Sequence, residues 1–329
     1  GYQASKLFSP WQKDKPSDIA KKYLDAKGDP DREQAWWNPQ MGLPHRPNHG
    51  KQLPVDILLS RREVFPAPVP DGVALLTAGV DTQDDRFEIT ITGWGRDEES
   101  WSVAHDVIYG DLETDEQWKR LDAYLRQIWR RADGRGLHVM ATCMDSGGHH
   151  TQKVYEFAKE RLGRRVWAIK GESAQGGKRN PVWPTKRPSS KSKASFRPIM
   201  IGVNAAKDVV RGRLHLEPPA LGVAGAGYMH FPDDRDLGYF NQLLAERLVY
   251  KVVSGQRFSI WEPIPGRANE ALDCLVYSYA ALCGLKHMGL KLNVRAANLE
   301  ANPEKFLPAP SVPEEKISYE LPGAGVDEP

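Results

Sequence analysis

The sequence predicts an α/β fold built on a mixed sheet, three antiparallel strands followed by parallel strands, flanked by helices. Two patterns point to it: three apolar runs joined by short turns between residues 73 and 108, and a strand, helix, strand succession over 137–170. A third observation supplies chemistry. Asp81, Asp145 and Asp273 each sit against an apolar element, where a carboxylate is costly unless a cation or several donors satisfy it.

Val73 to Val80, Phe87 to Gly95 and Trp101 to Ile108 read as strands, and their short connections, the first carrying Asp84 and Asp85, make them antiparallel neighbours. From Thr114 to Arg130, Trp118, Leu121, Tyr124, Leu125 and Ile128 recur on one helical face. Strand Leu137 to Met144, helix Thr151 to Leu162 and strand Val166 to Lys170 then form a crossover unit, whose strands run parallel. Beyond it, Ile199 to Val203 reads as a strand and Asp208 to Leu216 continues the domain. Leu237 to Leu248 reads as a helix, Phe258 to Trp261 as a short strand and Asn269 to Leu285 as a long buried helix. This order is that of a ribonuclease H-like sheet. Its first and fourth strands pair, which brings Asp81 and Asp145 to neighbouring strand ends, and the late helix delivers Asp273.

The compact unit is expected over 71–285. Residues 1–70 read as an irregular linker or junction, because prolines at 30, 39, 44, 47, 66, 68 and 70 leave room for one short helix, Ile19 to Lys27. Residues 286–329 read as an acidic tail containing prolines, with a folded element unexpected there. Three cysteines without a CxxC pair speak against a disulfide framework or zinc site and for a reducing compartment. There is no run of 18 apolar residues and no secretory h-region, so neither membrane spanning nor export is supported.

Carboxylates gathered from distant parts of a chain can hold two divalent ions about 4 Å apart. In that arrangement Asp81 bridges the ions and Asp145 and Asp273 complete opposite sides. Hard oxygen ligands suit Mg²⁺ or Mn²⁺, two ions being expected with DNA bound. His149 and His150 follow Asp145-Ser146-Gly147-Gly148 and are candidates for proton transfer at the scissile phosphate, although a helix start explains them equally. Glu270, three residues before Asp273, could hold a metal-bound water, although an acid in the first turn of a helix needs no such role. Asp84, Asp85, Glu88 and His230 are weaker candidates for the same neighbourhood.

Net charge is +2, but between Arg161 and Arg213 fourteen Lys or Arg residues face only Glu172 and Asp208. Such an excess attracts a phosphate backbone and releases its counterions. Lys178, Arg179, Lys186, Arg187, Lys191 and Lys193 form the expected DNA-facing loop, and Lys207 and Arg211 extend the track without any base-reading code.

Several segments together resemble the large terminase subunit of lambda-like tailed bacteriophages. They are Arg62-Glu63-Val64-Phe65-Pro66-Ala67-Pro68-Val69-Pro70, Thr77-Ala78-Gly79-Val80-Asp81-Thr82-Gln83-Asp84-Asp85-Arg86, Gly93-Trp94-Gly95-Arg96 with Glu99-Ser100-Trp101, Asp145-Ser146-Gly147-Gly148 and Asn269-Glu270-Ala271-Leu272-Asp273-Cys274. The resemblance covers the chain from about Leu7 to Leu285. It implies the carboxy-terminal nuclease portion of that subunit, cutting duplex viral DNA during genome packaging, with Asp81, Asp145 and Asp273 as its metal site. Residues 1–70 would then be the junction to a packaging ATPase, and no independent ATPase activity is expected, because no Gly-x-x-x-x-Gly-Lys-Ser/Thr motif occurs. The implied partners are double-stranded DNA, a small terminase subunit, the procapsid portal protein and the remainder of the ATPase, in the host bacterial cytoplasm and transiently at the portal, with no membrane. Two other readings compete: a resolvase or transposase-like strand transfer enzyme, and a non-enzymatic DNA- or portal-binding assembly module whose acids are structural.

Overall fold

The computed structural model describes residues 4–11, 14–26, 36–43, 53–172, 179–185, 197–220, 223, 225–253 and 256–308, and the structural statements that follow concern these residues. Helices α1 (Pro16–Ala26) and α2 (Val55–Leu59) precede the two-residue strand β1 (Arg62–Glu63). The antiparallel run follows as β2 (Leu75–Thr82), β3 (Arg86–Trp94) and β4 (Ser100–Tyr109). Helix α3 (Asp115–Arg126) leads to a small hairpin of β5 (Trp129–Arg130) and β6 (Gly136–Leu137). The crossover unit is β7 (Val139–Asp145), α4 (Thr151–Glu160) and β8 (Val166–Gly171), continued by β9 (Ile199–Ile201) and α5 (Val203–Leu214). Strand β10 (Met229–Pro232), helix α6 (Leu237–Leu243), hairpin strands β11 (Glu246–Val253) and β12 (Gln256–Pro263), and helices α7 (Glu270–His287) and α8 (Leu292–Ala301) complete the order.

Eight strands form one sheet in the order β1-β10-β4-β3-β2-β7-β8-β9. The pairs β2–β3 and β3–β4 are antiparallel, whereas β2–β7, β7–β8 and β8–β9 are parallel. The fold is thus mixed α/β, and the first long strand lies beside the strand that opens the crossover. Its register pairs Val80 with Met144, so Asp81 and Asp145 leave adjacent strands at the same level. Every residue of β2 is buried, as expected of a central strand covered on both faces. Side chains alternate across it. Thr77, Gly79 and Asp81 face α7, while Phe87 of the neighbouring strand packs edge-on against Trp118 of α3, which also meets Phe157 of α4.

Four regions depart from the sequence expectation. The helix expected to Leu248 stops at Leu243, and Glu246–Val253 pairs antiparallel with Gln256–Pro263. Leu244, Ala245, Glu246, Arg247 and Leu248 are good helix formers, and pairing with the partner strand overrides that local preference. Strand β10, too short to announce itself by period, inserts parallel to β4 at the sheet margin. Inside the expected linker, β1 pairs with β10, and Arg61 is buried with its guanidinium on Tyr228 Oη at 3.0 Å and the Leu214 carbonyl at 2.8 Å. Inside the expected tail, α8 buries Leu292, Ala296 and Leu299, and Arg295 Nε donates to the Ala74 carbonyl at 2.8 Å. Spacings of four and three put those apolar residues on one face, which outweighs the local proline and acid content. Residues 309–329 lie outside the described residues. No described helix is long and apolar enough to cross a membrane.

Candidate functional site

Helix α7 crosses directly over β2, and glycine at position 79 makes that approach possible. A Cβ on Gly79 would lie 1.8 Å from the Cys274 carbonyl oxygen and 2.6 Å from the Ser278 nitrogen. The crossing is then pinned by side chains. Thr77 Oγ1 donates to the Ser278 carbonyl at 2.9 Å, Ser278 Oγ donates to the Thr77 carbonyl at 3.2 Å, and Cys274 Sγ donates to the Glu88 carbonyl at 3.1 Å. Asp273 belongs to this clamped turn, next to Cys274.

Asp81, Asp145 and Asp273 consequently lie toward one end of the sheet, within reach of one another's charge. The Asp81 carboxyl is pushed up to about 7, first by burial and then by the nearby carboxylates of Asp273, Asp145 and Glu88, against the hydrogen bond from Gln83 Nε2 to its Oδ2. Burial also raises Asp145, although the backbone N–H of Gly147 donates to its Oδ2 at 3.0 Å and Lys170 adds a favourable charge. Asp273 is raised by burial and by the charges of Glu246 and Asp145, with Lys207 opposing.

Lys207 and Glu246 are parts of this site that the sequence pattern did not reveal. Lys207 Nζ lies 2.9 Å from Asp273 Oδ1 and 2.5 Å from Glu246 Oε1. Asn269 Nδ2 donates to both carboxylates, to Asp273 Oδ2 and to Glu246 Oε1, each at 2.9 Å. Glu246 was hidden because it opens a strand mistaken for helix, and Lys207 because a count of charges along a chain does not report burial. The lysine is only 8% exposed and faces carboxylates, so it does not extend a surface DNA track.

The remaining candidates separate clearly. His149 is exposed and pairs through Nδ1 with Asp84 Oδ1 at 2.7 Å, at the β2–β3 turn. His150 places Nδ1 3.1 Å from Glu113 Oε1 and Nε2 3.2 Å from the Asp84 carbonyl. Glu270 meets the Arg86 guanidinium at 3.3 Å, and the same arginine holds Glu88 at 2.8 Å. His230 lies at the opposite end of the sheet, between Glu63 Oε1 at 2.7 Å and Glu99 Oε1 at 2.9 Å, stacked on Trp101. Arg179 is tied inward to Asp208 Oδ2 at 2.5 Å and the Ser259 carbonyl at 2.7 Å, and Arg211 is half-buried, its guanidinium brought down to about 10 by burial. Lys178, Lys186, Arg187, Lys191 and Lys193 lie outside the described residues.

Among the described residues, no three His, Cys, Asp or Glu side chains are drawn together into a metal-ligating group. The donor chemistry nevertheless suits a hard divalent cation. One buried carboxylate, Asp81, and two half-buried ones, Asp145 and Asp273, repel one another, Asp81 is raised to about 7, and the Lys207 ammonium already sits on Asp273 as a cation.

Comparison with known proteins places the chain in a family. The family described as terminase large subunit gpA, endonuclease domain, matches residues 1–296. The terminase large subunit of Escherichia phage lambda is 34% identical over 286 residues, which is 86% of this chain and 44% of that protein. The terminase large subunit of Enterobacteria phage P21 is 33% identical over 263 residues, 79% of this chain and 40% of that protein. The chain spans less than half the length of these curated relatives. On this match, the chain belongs to the endonuclease-domain family of the gpA terminase large subunit.

Proposed function

We propose that the chain is the nuclease portion of a terminase large subunit, an endonuclease on a ribonuclease H-like sheet that hydrolyses duplex viral DNA during genome packaging. Mg²⁺ or Mn²⁺ would be held by Asp81, Asp145 and Asp273. The observation that carries this reading is the pairing of β2 with β7 beneath α7, which sets these three mutually repelling carboxylates at one sheet end. When bound, divalent ions supply Lewis acidity at phosphorus and lower the pKa of a water. The chain's own residues do the rest. Gln83 orients Asp81, the Gly147 N–H fixes Asp145, and Asn269 holds Asp273. Cover by α7 keeps water from the buried side of the cluster and so strengthens every charge interaction within it. His149, oriented through Nδ1 by Asp84, would move a proton at the exposed rim, and Glu270 with Arg86 would brace the start of α7.

The substrate is double-stranded DNA, and Lys178, Lys186, Arg187, Lys191 and Lys193 are its proposed backbone contacts. The junction would connect to the packaging ATPase, with the small terminase subunit and the procapsid portal protein as further partners. The setting is the host bacterial cytoplasm, transiently at the portal. Purified chain incubated with supercoiled DNA and Mn²⁺ or Mg²⁺ should give nicked and linear products, and EDTA should abolish them. Asp81→Asn, Asp145→Asn and Asp273→Asn should each lower the rate on the order of 10³-fold. Undiminished cleavage by folded Asp81→Asn protein would overturn the assignment, and joined rather than hydrolysed strands would favour transfer chemistry.

A further inference from the structure

Lys207 is an unusual neighbour for a cluster that must accept a divalent cation. Both oxygens of Asp273 are engaged, Oδ1 by Lys207 Nζ at 2.9 Å and Oδ2 by Asn269 Nδ2 at 2.9 Å. A divalent ion taking Asp273 would have to sit beside a like-charged ammonium, and little solvent is present to screen the pair, since Lys207 is 8% exposed. The structure also offers the ammonium a second resting place. Glu246 is 4% exposed, its Oε1 is shared between Lys207 at 2.5 Å and Asn269 at 2.9 Å, and its Oε2 is buried with no hydrogen-bond partner. A buried carboxylate oxygen without a donor is costly, and such an exception calls for an explanation. An ammonium carries three donors, so Lys207 can leave Asp273 and satisfy both Glu246 oxygens without leaving the interior.

We propose that Lys207 is the resident counter-ion of the carboxylate cluster, competing with divalent metal for Asp273 and retreating onto Glu246 when metal binds. This rests on the reading of the cluster as a metal site and adds a residue that sets its affinity. Lys207 is a positioning residue here: it acts on the reaction through Asp273. A lysine serving only as a brace for Asp273 would make the opposite prediction, because its loss would loosen the ligand and weaken metal binding.

The two roles are separated by titrating the full chain with Mn²⁺ alone, without DNA, by calorimetry and by the electron paramagnetic resonance of free Mn²⁺. Lys207→Met should tighten Mn²⁺ binding about tenfold, equivalent to ~1.4 kcal/mol. Glu246→Gln, which removes the retreat, should weaken it by about the same factor, and Lys207→Arg should stay near the parent. If Lys207→Met does not fold without metal, the Lys207→Met/Glu246→Gln pair, which leaves one buried carboxylate fewer without a cation, carries the same expectation of tighter binding. Weaker binding in the Lys207→Met protein, or in that pair, overturns the counter-ion role and leaves Lys207 a brace. Asp81→Asn serves as the control on the underlying reading. Parent-like Mn²⁺ binding there overturns the metal site itself and this proposal with it, whereas lost binding there combined with unchanged affinity in Lys207→Met overturns only the role given to Lys207.

Discussion

Gly79 and Cys274 stand so close that the α-carbon of one faces the carbonyl of the other with no room for a methyl group, the added Cβ falling 1.8 Å from that oxygen. The contact is backbone against backbone, so no rotamer change can relieve it. Gly79→Ala should therefore shift α7 off β2, break the Thr77–Ser278 hydrogen bonds and carry Asp273 away from Asp81. The expected cost is about 3 kcal/mol in urea unfolding, at the upper end of overpacking effects, with loss of DNA cleavage in whatever fraction remains folded. Parent-like stability and cleavage would show that the helix crossing does not deliver Asp273.

At the other end of the sheet, His230 ties the junction segment to the sheet margin through Glu63 and Glu99. Burial opposes its protonation, but the hydrogen bonds and charges of Glu99 and Glu63 prevail, and the imidazole is raised above 6.5. A histidine raised on folding contributes stability that is complete below its unfolded value and is lost as pH rises through its folded value. Unfolding free energy measured from pH 5.5 to 9 should fall more steeply for the parent than for His230→Gln. Identical slopes would remove His230 from the pH response.

Glu98 gives the reverse sign. It lies among Arg213 and Lys286, with burial working against its charge and those two cations overcoming the penalty, so that it is brought down to about 2 from 4.5. Its contribution is present above pH 4.5 and is lost as pH falls toward 2. Because Arg213 is buried, Glu98→Gln leaves it without its carboxylate partner and should cost about 3 kcal/mol at pH 7. Differential urea unfolding of parent and variant should show that gap shrinking as the solution is acidified. A gap that stays constant to pH 2.5 would contradict the assigned charge state.

The residues that were legible in the sequence are those whose signal is local. An aspartate closing an apolar strand or interrupting an apolar helix marks itself, and the succession of strands and helices was enough to set Asp81 beside Asp145. Glu246 and Lys207 carried no such mark. Glu246 enters the site only because a hairpin returns to the start of α7, and the hairpin was obscured by an apolar run compatible with either period. Lys207 belongs to a basic run in the sequence, although the helix carrying it turns the ammonium inward to the carboxylates of Glu246 and Asp273. Arg179 behaves in the same way, its partner Asp208 being one of the two acids inside the basic stretch. Pairings between distant segments decide burial, and one-dimensional charge counts do not contain them.

His149 and Asp84 offer the cleanest separation of chemistry from stability. Both side chains are exposed, at 86% and 75%, and the imidazole Nδ1 is 2.7 Å from the carboxylate, whose hydrogen bond and charge raise the histidine and lower the aspartate. An exposed pair of this kind contributes little to the fold. Asp84 stands on the turn that joins β2 to β3, two residues beyond Thr82, and His149 follows β7, so the pair lies at the sheet end that carries Asp81 and Asp145. His149→Ala should leave the melting temperature unchanged and lower the cleavage rate about 10²-fold, the lower range for loss of a positioned proton donor or acceptor. Asp84→Asn, by removing the charge that raises His149, should shift the alkaline limb of the cleavage pH profile to lower pH while leaving Mn²⁺ affinity as in the parent. A rate loss in His149→Ala accompanied by an equal loss of Mn²⁺ binding would instead make the histidine part of the metal site, and an unchanged rate would return both residues to the surface of a turn.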